Sequence, residues 1–403
     1  MIGKSVFRAL NGKQEVVKRC SKIVIRASST VPQMSLPSSS ENSNPLPFFR
    51  SIQNSPSLHA SNNSGQFYTI DPSIKKQLFL YGGIPKTFDE LCNTFKETCM
   101  MIREPALEIM DYMKSTNFNN AATRYCLYGK IGTGKSMTMA HVLHYGFENS
   151  FVIVHVPWAP YWYKFPKEYS DCPTKEGMVD LPLDAVAWLI HFKNQNSHLL
   201  ADPNLSVCQD WEWSKREITK KGAPLAEIVE MGINRVKYST NCIEALLQEL
   251  KQLSDLKRCK TIVVIDGFNI FFSDKTKIKT AAFEKIPPKR VTITSPFVDI
   301  TKQDWSNGAV IVSVDDLAFF RKDQRNTHYP RGLLGPEGFE HLDPFIPIET
   351  KNYSEKEFHY CIEYFLERRW IINPHAASEE GRKELAFISN RNPFNLLKVT
   401  APL

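Results

Sequence analysis

A phosphate-binding loop motif is the feature of this sequence that most restricts its fold. Residues 129–136 read Gly-Lys-Ile-Gly-Thr-Gly-Lys-Ser and match the pattern G-x-x-x-x-G-K-[ST]. Such a match arises by chance in on the order of one or two chains per hundred of this length. A short apolar run precedes the motif at 125–128, and residues 137–145 are typical of a helix. This strand–loop–helix context is the one that the motif requires.

The residue types of the motif explain how it could hold a polyphosphate. Glycines let the backbone curl until its N–H groups face inward at a helix N-terminus, where they and the helix dipole favour an anion. Lys135 would reach the β- and γ-phosphates, and the Ser136 hydroxyl would ligate Mg²⁺. The alternative is a glycine-rich turn without a ligand. The predicted nucleotide-binding residues are Gly129, Lys130, Ile131, Gly132, Thr133, Gly134, Lys135, Ser136 and Met137.

A second metal ligand is predicted at Asp266, which follows the apolar run 261–265. An acid at the tip of a buried strand can hold Mg²⁺ directly or through water, although Asp-Gly is also a common turn pair. Gly267, Phe268 and Asn269 come next, so the second acid that activates water in many AAA-type ATPases is missing. We assign no catalytic residue and expect slow or absent hydrolysis. Asp315 or Asp316 remains an alternative base, and Ser313 a weak candidate for sensing the γ-phosphate.

The identity of the base is not settled by the sequence. Residues 301–304 read Thr-Lys-Gln-Asp and resemble the [NT]-K-x-D motif that binds guanine in Ras-type GTPases. They precede a predicted strand instead of following one, so we interpret the match as chance.

The order of apolar segments predicts an α/β fold. Five short runs at 124–128, 151–156, 261–265, 309–314 and 345–348 lack alternation, as in parallel strands buried on both faces. Helical patterns occur at 87–114, 135–147, 182–200, 224–252 and 354–369. The sequence thus predicts a mostly parallel five-stranded sheet between helices. Residues 66–350 would form the nucleotide-binding domain and 351–403 a helical, lid-like part, with 273–307 as a surface insertion.

Most of the excess positive charge lies near the N-terminus. The chain carries a net charge of +7, and residues 1–40 account for seven basic residues minus one acid, or +6. Residues 1–30 are basic and rich in serine, which is typical of a mitochondrial presequence, although a basic tail is the alternative. Residues 31–65 are rich in Ser, Asn and Pro, and we expect a disordered linker. No apolar run is long enough for membrane insertion, and the absence of Cys-x-x-Cys makes a zinc site improbable.

Three weaker patterns have ordinary explanations beside functional ones. His141 and His144 on the helix after the loop are expected to be packing residues. The aromatic run 158–165 could stack on RNA bases, but packing or a protein contact is the stronger explanation. Residues 211–221 combine Trp and basic side chains, which suits a local rRNA contact or a solvated face equally.

Several sequence blocks resemble the death-associated protein three family, the GTP-binding component of the mitochondrial small ribosomal subunit. The resemblance covers about 66–403. It is carried by the motif block and by residues 213–217, 222–230, 232–235, 264–269, 304–313, 333–339, 342–347 and 352–358. The later blocks are not general P-loop features, so the match is specific.

The resemblance implies an AAA-like P-loop domain that binds GTP or GDP with Mg²⁺. It also implies small-subunit ribosomal proteins and rRNA as partners, large-subunit proteins at the subunit interface, and a link to apoptosis. We therefore expect a structural protein of the mitochondrial ribosome in the matrix, acting in mitochondrial translation, without membrane insertion or a homo-oligomer. The alternatives are an active mitochondrial P-loop NTPase that acts as a switch or remodeller, and an apoptotic signalling adaptor.

Overall fold

The computed structural model describes residues 47–280 and 283–401. Eleven strands occur in this part of the chain: β1 Phe67–Thr69, β2 Cys99–Met101, β3 Thr123–Tyr128, β4 Phe151–Val156, β5 Ser170–Asp171, β6 Val179–Asp180, β7 Trp211–Ser214, β8 Glu217–Thr219, β9 Lys260–Ile265, β10 Gly308–Ser313 and β11 Ile346–Glu349. Its α-helices are α1 Pro72–Phe79, α2 Lys86–Phe95, α3 Glu104–Ser115, α4 Lys135–Glu148, α5 Pro160–Lys164, α6 Pro182–Gln195, α7 Ala226–Asn234, α8 Ser239–Asp255, α9 Thr294–Asp299, α10 Pro330–Leu342, α11 Glu355–Glu367, α12 Glu379–Ser389 and α13 Pro393–Val399.

Five strands form one parallel sheet in the order β11-β3-β10-β9-β4. These are the five runs that the sequence predicts, each within two residues of its expected limits. The prediction of an α/β fold with a five-stranded sheet is confirmed, and the sheet is entirely parallel. Because β3 lies between β11 and β10, the loop after it has a strand end on either side, at the edge of the sheet where the strands end.

Alternate residues of each strand enter two separate cores. Along β10, Val310 and Val312 belong to one apolar cluster, whereas Ala309 and Ile311 belong to the other. Helices α6 and α8 cover the first face, and α3 and α4 cover the second. Burial on both faces explains why the strands show no alternation of apolar and polar residues.

A third apolar cluster joins the C-terminal helices to β1 and β2. Phe358 and Ile362 of α11 and Leu396 of α13 pack there with Phe67 and Met101. Helix α11 begins with a reciprocal cap: the Ser354 hydroxyl accepts from the Glu357 N–H, and the Glu357 carboxylate accepts from the Ser354 N–H. The C-terminal helical part is therefore packed against the segment that precedes the central sheet.

Three sequence expectations require correction. Residues 87–114 do not form one helix, because β2 separates α2 from α3. Residues 47–65 belong to the folded body instead of the linker predicted over 31–65, since Phe49 and His59 are buried. The segment 273–307 is not a surface insertion, because apolar side chains such as Phe297 and Trp305 are buried in the first core.

The predicted presequence and residues 31–46 of the predicted linker lie outside the described residues. Among the described residues, no helix is both long and apolar enough to cross a membrane.

Candidate nucleotide-binding site

The predicted phosphate loop connects β3 to α4 and is held open by backbone that only glycine adopts easily. Gly129, Gly132 and Gly134 have φ angles of 147°, 81° and 99°. A Cβ atom on Gly129 would lie 2.3 Å from the Thr350 carbonyl oxygen, which shows how closely the backbone passes the segment after β11. Glycine at these positions is therefore a requirement of this turn.

The loop and the first turn of α4 present backbone donors to the edge of the sheet. Within residues 47–280 and 283–401, the N–H groups of 130–137 donate no hydrogen bond to another protein atom, and no side chain caps α4. Such N–H groups at the start of a helix form a site suited to phosphate.

The Lys135 ammonium is buried behind the loop, where it makes two hydrogen bonds and one ion pair. It donates to the carbonyl oxygens of Gly129, at 2.8 Å, and Lys130, at 3.2 Å. Its third partner is a carboxylate oxygen of Asp315, also at 2.8 Å. Its side chain is 5% exposed, so the charge would be costly to bury without this counter-ion.

The two predicted metal ligands, Ser136 and Asp266, are in direct contact. The Ser136 Oγ donates to Asp266 Oδ2 at 2.5 Å, and the Ser313 hydroxyl donates to Asp266 Oδ1. Burial raises the pKa of Asp266, and these hydroxyl donors act in the opposite direction. Ser313 also accepts from the Gly267 N–H. Ser313 therefore holds both the Asp266 carboxylate and the turn after β9 in position.

Asp315 is a site residue that the sequence named only as an alternative base. It follows β10 and is held through three atoms besides its contact with Lys135. Its backbone N–H and C=O bond the side-chain amide of Asn269, both at 3.0 Å, and its Oδ1 accepts from the Leu317 N–H. Asn269, which stands near the position of the missing second acid, thus fixes Asp315 in place.

Arg103 connects the loop to the C-terminal helices, and nothing in the sequence indicates this role. It donates to the Thr133 carbonyl, to the Lys351 carbonyl and to Glu357 Oε1, the last at 2.9 Å. Both charged side chains are at least nine-tenths buried. The guanidinium also lies over the Tyr353 ring, at 4.9 Å from its centroid. The capping residue of α11 is therefore also a support of the phosphate loop.

The start of α13 touches the loop directly. Asn392 donates to the Ile131 carbonyl at 3.0 Å, and the Phe394 N–H donates to the Gly132 carbonyl at 3.2 Å. A Cβ on Gly132 would approach Asn392 Oδ1 to 2.7 Å. The lid-like part predicted over 351–403 thus supplies contacts to the loop that is proposed to hold phosphate.

A cavity of about 390 Å³ opens beside the loop, within the size range of ligand pockets. Gly132, Gly134, Lys135 and Ser136 line it at the loop, together with Met137. Apolar side chains from α2, β2, α11 and α13 line the remainder, among them Phe88, Leu91, Met101, Phe365 and Phe394. One end suits an anion and the other suits a planar apolar group.

These residues fit a Mg²⁺ nucleotide. Unpaired backbone donors, a buried ammonium and a hydroxyl beside a carboxylate are the donor set that phosphate and Mg²⁺ require. Among the described residues, no group of three or more His, Cys, Asp or Glu side chains could hold a metal by itself. A P-loop metal needs no such group because the phosphates supply further oxygen ligands.

The weaker sequence candidates lie elsewhere. Thr301 and Asp304 precede β10, at the edge of the sheet opposite the loop, so they cannot meet a base bound there. His141 and His144 are buried packing residues. Trp162 and Tyr163 are buried in the first core, which supports packing for that part of the aromatic run. Residues 211–219 form the hairpin β7–β8 instead of a helix face.

Comparisons with known proteins identify relatives over most of the chain. The family model described as mitochondrial ribosomal death-associated protein 3 matches residues 100–399. The small ribosomal subunit protein mS29 of Bos taurus is 39% identical over 354 residues, covering 88% of each chain. The protein of the same name from Mus musculus is 37% identical over 354 residues, covering 88% of this chain and 89% of the relative.

Solved structures show only a distant likeness. The ORC2 protein of Aeropyrum pernix gives a TM-score of 0.33 at 12% identity, covering 73% of this chain and 58% of that one. Hsp104 of S. cerevisiae gives a TM-score of 0.27 at 10% identity, covering 82% of this chain and 47% of that one.

Proposed function

The chain belongs to the mitochondrial ribosomal death-associated protein 3 family, and we propose that it is a structural, GTP-binding component of the mitochondrial small ribosomal subunit. In this proposal it binds GTP or GDP with Mg²⁺, acts in mitochondrial translation and hydrolyses nucleotide slowly or not at all. Family membership and the names of the two relatives support the ribosomal part. The geometry of the loop supports the nucleotide part.

The contact between Ser136 and Asp266 is the observation that carries nucleotide binding. A hydroxyl and a buried carboxylate meet at 2.5 Å beside the start of α4, and the N–H groups of 130–137 donate to no other described residue. Ser136 and Asp266 would hold Mg²⁺, and residues 129–137 with Lys135 would hold the phosphates. Bound Mg²⁺ would neutralise phosphate charge and orient the phosphate oxygens.

The slow hydrolysis in this proposal is supported by the lack of a general base directly after Asp266. A general base must lie within hydrogen-bond reach of the attacking water. The position directly after Asp266 is Gly267, and both ends of the Asn269 amide are bonded to the backbone of Asp315. The runner-up, an active NTPase, would need a base from elsewhere, such as Asp315 or Asp316 after β10. The apoptotic-adaptor alternative gains no support from the described contacts.

The preference for guanine rests on the family resemblance. The apolar end of the cavity is compatible with a purine, and the Thr-Lys-Gln-Asp segment at the opposite sheet edge plays no part in it. We propose small-subunit proteins and rRNA as partners, large-subunit proteins at the interface, and a location in the mitochondrial matrix without self-association. The exposed basic residues of 211–221 are our candidate for a local rRNA contact.

Sedimentation of the tagged full-length chain from lysed mitochondria tests both parts of the proposal. We expect the protein to migrate with the small subunit, and we expect guanine nucleotide from that fraction, identified by mass. Migration wholly away from the small subunit would defeat the ribosomal assignment, and recovery of ATP or ADP would overturn the guanine assignment. Steady multiple turnover of GTP by the purified chain would favour the active NTPase.

A further inference from the structure

The partners of Lys135 show that the site beside the loop already contains an anion. Its ammonium donates hydrogen bonds to two neutral carbonyls, those of Gly129 and Lys130, and its one charged partner is the Asp315 carboxylate, which forms an ion pair with it at 2.8 Å. A phosphate that reaches this ammonium would have to compete with the Asp315 carboxylate for the same positive charge. Asp315 also lines the cavity beside the loop.

Hydrogen bonds to its backbone and its carboxylate hold Asp315 in position at the site. The amide of Asn269 holds its backbone from both sides, and the N–H of Leu317 holds its second carboxylate oxygen at 2.8 Å. Lys164 in turn donates to the carbonyls of Leu317 and Phe319, which fixes the turn that follows. An anion tied down in this way stays close to Lys135 whatever else binds there.

We propose that Asp315 is a specificity-determining residue of the nucleotide site, a fixed carboxylate that competes with phosphate for Lys135 and disfavours the nucleotide with more negative charge. This inference rests on the proposed nucleotide site. A fixed anion in a partly buried site repels each added phosphate charge, since Coulomb interactions there are weakly screened. GTP carries one more negative charge than GDP, so the site favours the diphosphate.

Titration of the purified full-length chain with GDP and GTP, in Mg²⁺ and in EDTA, tests this role. The informative variants are Asp315→Asn and Asp315→Ser, because both side chains can still cap the short helix that follows. We expect GDP to bind on the order of tenfold more tightly to either variant than to the unaltered chain, with a larger gain for GTP. Asp315→Glu keeps the charge and should stay close to the unaltered chain.

Asp316→Asn is the matched control. Asp316 is equally buried, but its carboxylate accepts from the Arg325 N–H and has no contact with Lys135. Its loss of charge should change the affinities and their ratio much less than Asp315→Asn does, because the Asp316 carboxylate does not contact Lys135. Without nucleotide, Asp315→Asn should unfold at a lower temperature than Asp316→Asn, because it leaves the buried Lys135 without its counter-ion.

The possible results separate this inference from the proposed function. Equal or weaker binding of GTP by both Asp315 variants would overturn the inference while leaving the nucleotide site in place. If the Asp315 variants bound nucleotide more weakly than the unaltered chain in Mg²⁺ but not in EDTA, Asp315 would be a metal ligand and the inference would also be overturned. If the Asp315 variants bound nucleotide and the unaltered chain did not, the inference would be supported. Absence of binding by every protein would end the proposed function and the inference together.

Discussion

The buried pair of Arg103 and Glu357 provides the sharpest test of how the phosphate loop is supported. Replacing Glu357 with alanine leaves the guanidinium, whose side chain is 9% exposed, without its carboxylate. It also removes the cap bond to the Ser354 N–H at 2.8 Å. Breaking a buried pair by removing one partner costs about 3–5 kcal/mol, and a lost helix cap costs about 1 kcal/mol. The two losses together predict a decrease of about 4–6 kcal/mol in the free energy of unfolding.

Urea unfolding followed by circular dichroism measures this loss. The control is Glu355→Ala, because Glu355 lies one half-turn away on the same helix, is 87% exposed and meets only Arg391 at 3.5 Å. Exposed pairs of this kind contribute little. If Glu357→Ala and Glu355→Ala unfolded at the same urea concentration with the same slope, the claim that the pair holds the loop to α11 would be refuted.

Gly132 and the buried histidines of α4 provide two further tests. The Gly132→Ala variant should lose most of its affinity for guanine nucleotide in a calorimetric titration, because the added Cβ would enter the contact with Asn392. Gly222→Ala is the control, since Gly222 has a similar φ of 86° but open space around it. Equal affinities of the two variants would contradict this prediction. Burial lowers the pKa of His144 to about 4 and that of His141 well below the ordinary 6.5. Below pH 6.5 these histidines are therefore protonated in the unfolded chain but remain neutral in the folded chain. The free energy of unfolding should fall as the pH decreases from about 6.5 towards 4, by up to about 1.4 kcal/mol per pH unit for each histidine. In urea unfolding at several pH values, His144→Gln should show a shallower slope, and an unchanged slope would argue against its neutral burial.

The sheet and the core of the site were predictable because they depend on local patterns. Unbroken apolar runs such as 151–156 can be satisfied only by burial on both faces, and glycines around Lys135 are required wherever the backbone must curl around an anion. Asp266 could be placed because it ends such a run. Each of these predictions depends only on residues within a few positions of one another in the sequence.

The supports of the loop could not be predicted in the same way. Arg103 and Glu357 are 254 positions apart, and their pairing depends on how α11 packs against the segment before the central sheet. The cap that Ser354 and Glu357 form is a local feature, and a cap alone does not indicate that the same carboxylate meets a distant arginine. Likewise, the residues after Asp266 indicated only that a second acid is missing, and only the fold shows that the Asn269 amide fixes Asp315.

The helix predicted over 87–114 failed for a related reason. Its apolar spacing satisfies a helical pattern, yet residues 99–101 pair with β1 and are buried on every side. Tertiary pairing overrode the local preference. The same effect placed Phe49 and His59 in the folded body, although their neighbours have the composition of a linker.

Calorimetric titration of the purified chain with GDP and Mg²⁺, beside Lys135→Ala and the surface control Lys130→Ala, tests the central claim most directly. The Lys130 side chain is exposed, and the residue takes part in the site through its backbone. We predict saturable binding by the unaltered chain and by Lys130→Ala, with loss of binding in Lys135→Ala. Equal binding by all three proteins, or no binding by any, would contradict the claim that this loop holds a polyphosphate.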